Sequence, residues 1–148
     1  METRIRLATQ DDIEAIFAIR TAVAQNHLSR EQLSALGITA DAIAERMGES
    51  PCVWLAQVDG VPVAFAMVDL DTGEVFALFV LPAHENLGLG RQLLAVAETA
   101  LFERHDTLFL ITGGRAHIRA NGFYQRQGWS KVNTVDGDDV RYEKRKVH

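Results

Sequence analysis

Apolar and polar positions alternate with a period that changes along the chain, and each change marks an element. Ile5 and Leu7 alternate with Arg4 and Arg6, which predicts a short opening strand. Thr9 and Asp12 have the spacing of a capping box, and Ile13, Ile16, Ile19 and Val23 follow at helical spacing. Ser29 with Gln32 repeats the cap with Gly37 as its stop, and Thr39 begins a third short helix running through Met47. After Pro51 the period shortens. Cys52–Val58 and Pro62–Leu70 are apolar runs joined at Asp59-Gly60, a strong hairpin signal. Asp71-Thr72-Gly73 turns the chain into a third consecutive strand, Glu74–Val80, so an antiparallel meander is expected.

Leu87–Glu103 is the most regular helical stretch, with Leu93, Leu94, Ala97, Leu101 and Phe102 along one face. Thr107–Thr112 reads as a continuous apolar strand, expected to be buried on both faces. Ala116–Gln127 predicts a helix ended by Gly128, and Ser130–Val135 with Val140–Glu143 a closing hairpin around Asp136-Gly137-Asp138. The order is β-α-α-α-β-β-β-α-β-α-β-β, read as one domain over residues 1–148. Its central strand–helix–strand unit requires a right-handed parallel crossover.

Composition narrows the function classes. With 47% hydrophobic and 24% charged residues, the 148-residue chain has the balance of an ordinary globular protein. Fifteen basic and twenty acidic residues give a net charge of −5, which argues against nucleic acid or an anionic membrane as partner. Cys52 is the only cysteine, so neither an internal disulfide nor a cysteine metal cluster is available, and no metal is expected. The amino terminus lacks the basic-then-apolar build of a signal peptide, and no apolar run approaches the roughly 18 residues of a membrane span. A cytoplasmic location is the expectation.

The chemistry concentrates after Glu74–Val80, where Leu81-Pro82 leads into His84-Glu85-Asn86-Leu87-Gly88-Leu89-Gly90-Arg91. Two glycines one residue apart let backbone approach a ligand, and the helix start behind them offers N–H groups and a positive dipole end. That is either a pyrophosphate cradle or a tight strand-to-helix turn. Leu93 stands where a dinucleotide fingerprint needs its third glycine, and no Gly-Lys-Ser/Thr follows, which sets aside dinucleotide and Walker-type sites. Phosphates without a phosphate-transfer lysine suggest a carrier nucleotide.

Here the chain resembles the GNAT acyltransferase superfamily. Val80, Pro82, Gly88 and Gly90 fall in register with that family's Val-x-Pro-x-x-(Arg/Gln)-x-x-Gly-x-Gly loop, and Ala120–Trp129 resembles its A-x-x-F-Y-x-x-x-G-(F/W) motif. Two motifs in order, about one strand apart, are far more specific than either alone. The resemblance implies an α/β (mixed α+β) fold, a twisted mixed sheet of about seven strands with a central antiparallel meander and then a parallel crossover, flanked by helices. It implies acetyl-CoA as co-substrate and an amine as acceptor, attacking the thioester directly.

The same resemblance implies site residues. The fourth strand should splay from the fifth and expose main-chain groups of Leu78, Phe79 and Val80, with the amide of Phe79 or a neighbour as oxyanion donor. Glu85, Leu87, Gly88, Leu89, Gly90 and Arg91 would hold the cofactor's phosphates, and Arg115 and Arg119 could serve them too. Glu85 departs from the family's Arg or Gln, and a carboxylate there weakens pyrophosphate binding unless it points away. His117 stands where many members carry an Asn that bonds the pantetheine arm. Tyr124 is the candidate acid for the departing thiolate and Glu74 the candidate base; the alternatives for the base are His27, between the first two helices with Asn26 and Arg30, or a water chain. Cys52 could be a nucleophile but has no adjacent base, so it reads as buried and structural. The acidic tips Asp69/Asp71 and Asp136/Asp138/Asp139 could draw in a cation, although turn chemistry alone explains them.

The leading reading is therefore a small cytoplasmic N-acetyltransferase acting on a small-molecule primary amine. A protein lysine or amino terminus as acceptor, or a non-catalytic acyl-CoA-binding module on the same fold, stays open. An unrelated α/β domain would leave both motifs as coincidence. The apolar last hairpin and Trp129 could support a homodimer.

Overall fold

The computed structural model describes residues 2–23, 27–113, 120–135 and 137–147. Strand β1 (Thr3–Leu7) leads through a 3-10 turn at Gln10–Asp12 to α1 (Ile13–Ala22), α2 (Arg30–Ala35) and α3 (Ala40–Glu49). The meander follows as β2 (Val53–Val58), β3 (Val61–Asp69) and β4 (Glu74–Val80), then α4 (Leu89–Phe102), β5 (Thr107–Gly113), α5 (Ala120–Arg126), β6 (Ser130–Thr134) and β7 (Asp139–Arg145). They form a seven-stranded sheet in the order β1-β2-β3-β4-β5-β7-β6. The β4/β5 pair is parallel, and the other neighbours are antiparallel.

Local signals explain most boundaries. Ser29 Oγ accepts the Gln32 N–H at 3.1 Å while Gln32 Oε1 accepts the Ser29 N–H at 2.8 Å, closing the predicted box at α2. Asp59 and Gly60 both take positive φ (51° and 84°), as a two-residue hairpin with right-handed strand twist demands. The long helix begins at Leu89, two residues later than its apolar pattern predicts. Gly88 caps it with φ of 80° and Asn86 also takes positive φ, so the chain is still curling through residues 86–88.

The central strands β2 and β3 are buried on both faces, with α4 against one and α1 against the other. Leu89, Leu93, Leu94, Ala97 and Leu101 make the α4 stripe that is removed from water. The expectation of double burial fails for β5. Leu108 and Leu110 are 0% and 2% exposed, whereas Ile111 is 43% exposed. One face packs on α4, and on the other Ile111 is open to solvent. No helix among the described residues is long and apolar enough to cross a membrane.

An ion pair ties β1 to the first helix. Arg6 Nη1 and Nη2 donate to Asp12 Oδ2 and Oδ1 at 2.8 and 2.9 Å, and the Thr9 N–H donates to Oδ2 at 2.7 Å. Held by Arg6 above all, the Asp12 carboxyl is pulled down to about 2. A lowered folded pKa gives stability that is present above the ordinary carboxylate value and lost as pH falls through the folded one. We therefore expect Asp12→Asn to cost about 2 kcal/mol at neutral pH and much less near pH 2, read by urea unfolding. An equal deficit at both pH values would contradict this.

Candidate active site

The parallel pair that joins the two halves of the sheet is barely a pair. Glu74 opposite Phe109 is its one register position, with the Phe109 N–H donating to Gly73 O at 3.1 Å. Beyond it the strands part into a wedge. Strand β4 stays paired to β3 from Glu74 to Val80, with a slip between Met67 and Val68 that leaves Phe76 unopposed as a bulge. Strand β5 stays paired to β7 along its whole length.

Backbone alternation decides which β4 groups face the wedge. The Leu81 N–H donates to Val63 O at 2.8 Å, so Leu81, Phe79 and Ala77 turn their main-chain groups toward β3. Leu78 and Val80 turn theirs away, into the wedge. This corrects the expectation for Phe79: its amide belongs to the sheet, and only its ring reaches the site.

The wedge opens toward the start of α4. The N–H groups of Leu89, Gly90 and Arg91 lie in the first turn and have no intrahelical acceptor. A Cβ on Gly90 would sit 3.6 Å from the Phe123 ring and 3.8 Å from Val80 Cγ2, so α4, α5 and β4 converge there. Glu85, Leu87 and Arg91 are exposed around this loop, and Glu85, Gly88, Leu89, Gly90 and Arg91 line the cavity continuous with it.

Tyr124 lies beside the wedge on α5, 7% exposed, with its ring edge-on to Phe123 and Trp129 at 5.3 and 6.2 Å. Its hydroxyl makes no hydrogen bond among the described residues, and burial pushes its pKa well above the ordinary phenol value. Trp129 anchors this corner, donating to Glu98 Oε2 at 3.0 Å, while Lys144 Nζ bridges Glu98 Oε1 and Gln127 O at 2.7 and 2.9 Å. At 2% exposure Trp129 belongs to the core, which removes it from any dimer surface.

The other face of the wedge is lined differently. Val80 faces Gly90 on the α4 side, so by alternation Phe79 projects toward α1, where its ring is 5.8 Å from Phe65 and carries the Arg20 guanidinium at 4.2 Å. Glu74 pairs in register with Asp69, which meets Arg46 of α3 at 3.6 Å. Burial, and then Asp69, raise the Glu74 carboxyl above the ordinary range, against Arg141 and Arg46. Arg141 itself lies over Phe109 at 4.1 Å and donates to Glu143 at 2.9 Å. A cavity of about 1180 Å³ connects the two faces, and Glu74, Leu78, Phe79, Val80 and Tyr124 all line it.

His27 also lines this cavity, exposed at its mouth, with Nδ1 3.0 Å from Val23 O. Arg30 is tied to Glu14 at 2.7 Å. Cys52 is buried outside the cavity, and burial raises its thiol pKa. His117, Arg115, Arg119, Asn26 and Asp136 lie outside the described residues. Among the described residues no three His, Cys, Asp or Glu side chains are grouped to hold a metal. Sequence reasoning missed Arg20. Its signal was a cation three residues after Phe17 and four after Ile16, on the edge of an apolar stripe.

A model of the acetyltransferase (GNAT) family matches residues 6–129. A protein of Archaeoglobus fulgidus named as an uncharacterized N-acetyltransferase is 32% identical over 84 residues, 51% of this chain and 57% of that protein, so the match spans little more than half of the relative. Among solved structures, PaiA N-acetyltransferase from Thermoplasma acidophilum, in complex with coenzyme A, superposes with a TM-score of 0.78 at 18% identity, covering 99% of this chain and 100% of that one. YncA from Salmonella typhimurium, a putative acetyltransferase with its cofactor acetyl-CoA, gives 0.71 at 19% identity over 97% and 93%. At such identities the likeness is one of fold.

The two loop glycines should behave differently. Gly88→Ala forces a side chain into left-handed backbone, while the Cβ of Gly90→Ala meets only ordinary contacts. In chemical unfolding, Gly88→Ala should lose about 1 kcal/mol and Gly90→Ala about none. Equal losses would show that the curl at Gly88 is not what starts α4.

Proposed function

The chain belongs to the acetyltransferase (GNAT) family, and on that footing we propose that it transfers the acetyl group of acetyl-CoA to a primary amine of a small molecule. The carrying observation is the outward-turned backbone of Leu78 and Val80, in a wedge that ends at the first turn of α4. Main-chain groups left open at a strand edge can pair with another backbone-like chain. A pantetheine arm carries two amides and can lie against β4 as a missing strand would. A diphosphate fits at the other end, where the N–H groups of Leu89, Gly90 and Arg91 meet the positive end of α4. Glu85 opposes that charge but stands exposed, where water screens it, so it weakens binding without abolishing it.

When bound, acetyl-CoA supplies a thioester carbonyl that an amine can attack, forming the C–N bond and breaking the C–S bond. Glu74 takes the proton of the incoming ammonium, directly or through water. Its burial brings its pKa closer to that of the amine. The Leu78 N–H, preset toward the wedge, donates to the carbonyl oxygen as charge builds there. Tyr124 donates to the leaving sulfur. Burial keeps its phenol protonated, so it stands as a hydrogen-bond donor to the sulfur as charge builds there.

The small-molecule acceptor is supported by the walled cavity between α1 and β4. Acetyl-CoA as co-substrate supports a cytoplasmic location. The exposed outer strand β6, carrying Val132 and nearby Val135, supports a homodimer paired along that edge.

Calorimetric titration with acetyl-CoA, followed by turnover with an amine panel, tests the assignment. Tyr124→Phe should lower kcat about 10²-fold with acetyl-CoA affinity nearly unchanged. In the kcat/KM profile, activity should rise with pH through the raised Glu74 pKa, and that limb should vanish in Glu74→Gln. Unchanged turnover in Tyr124→Phe, or an unaltered limb in Glu74→Gln, would remove the respective role.

A further inference from the structure

The acceptor side of the cavity holds one cation whose neighbours do not explain it. Arg20 projects from α1 toward β4 and is half-buried, and its Nη1 is shielded from water with no hydrogen-bond partner among the described residues. Elsewhere arginines that leave bulk water do so with a carboxylate: Arg6 with Asp12, and Arg141 with Glu143. Desolvation lowers the Arg20 pKa, and among the described residues no acid counters it. Shielding a guanidinium nitrogen without a partner is unfavourable, and such an arrangement persists where a ligand completes it.

The geometry says what kind of ligand. The guanidinium carbon lies over the Phe79 ring at 4.2 Å, and the half-buried group lines the cavity. Its planar fork matches a carboxylate through two parallel hydrogen bonds. A second nitrogen without a partner among the described residues, Nδ1 of His84, is buried in the wall of the same cavity. Arg20 does not serve the diphosphate end of the co-substrate, because Phe79 projects to the α1 side of the sheet and Val80 faces the α4 start on the opposite side.

We propose that Arg20 binds a carboxylate on the acceptor, so that the amine acetylated by this protein is an amino acid or a similar aminocarboxylate. This rests on the acetyltransferase reading for the word acceptor, but the anion site itself does not. Two measurements separate them. In the first, the Arg20 Nε–H signal is followed by NMR in the whole protein, without acetyl-CoA, as amino acids and their decarboxylated amines are added in matched pairs. The amino acids should shift it saturably and the amines should not. No shift with any amino acid overturns the proposal, whatever the protein catalyses.

In the second, kcat/KM is compared within each pair. Amino acids should be favoured at least about tenfold, the range expected for one charged contact, and the ratio should fall to about one in Arg20→Met and only partly in Arg20→Lys. Arg20→Met should also raise Tm, since it removes an unpaired shielded charge, which verifies that the variant folds. A ratio unchanged in Arg20→Met, or a loss confined to acetyl-CoA affinity, overturns the proposal. A saturable shift without turnover of any pair would keep the carboxylate site and overturn the acetyltransferase reading.

Discussion

Everything in this site depends on two adjacent parallel strands that do not close. Each is held by its outer neighbour, β4 by β3 and β5 by β7, and among the described residues their one ladder position is Glu74 opposite Phe109. The bulge at Phe76 bends β4 just beyond that point. A sheet interior ordinarily saturates its backbone, and a buried amide left alone costs about 1–3 kcal/mol. The wedge is therefore open main chain, the edge along which the proposed co-substrate would pair its own amides.

That opening also divides the labour between two faces. On the α4 side lie the first turn of the helix, the left-handed Gly88 and the small Gly90, where the proposed diphosphate would sit. On the α1 side, Glu74 of β4 and Arg20 of α1 both line the cavity, one a carboxyl raised above its ordinary range by burial and one a guanidinium whose Nη1 has no partner among the described residues. In the proposed reading, an acceptor entering from this side meets charge of both signs, while the co-substrate enters from the other. Tyr124 sits where the two halves meet, fixed by a core of aromatic rings and by the Trp129–Glu98–Lys144 network.

Much of this was legible in the residues. The limits of β4, the hairpin at Asp59-Gly60 and the cap at Ser29 all follow from period and turn chemistry, because those signals are local. The splay is not local. Thr107–Thr112 is apolar throughout, so its pattern reads as a strand covered on both sides, and nothing within it records that its neighbour departs. The amide direction at Phe79 likewise depends on hydrogen-bond phase with β3, set by the contact between Leu81 and Val63. Arg20 escaped notice because a cation at the edge of a helical stripe reads as solvated, and its seat on Phe79 is a tertiary fact.

The most direct measurement is amide hydrogen exchange at Leu78 and Val80 with and without acetyl-CoA. If the wedge binds as described, both amides gain protection on addition of the co-substrate, while Phe79, already paired to β3, changes little. Binding that leaves Leu78 and Val80 exchanging as before would place acetyl-CoA elsewhere and contradict the account.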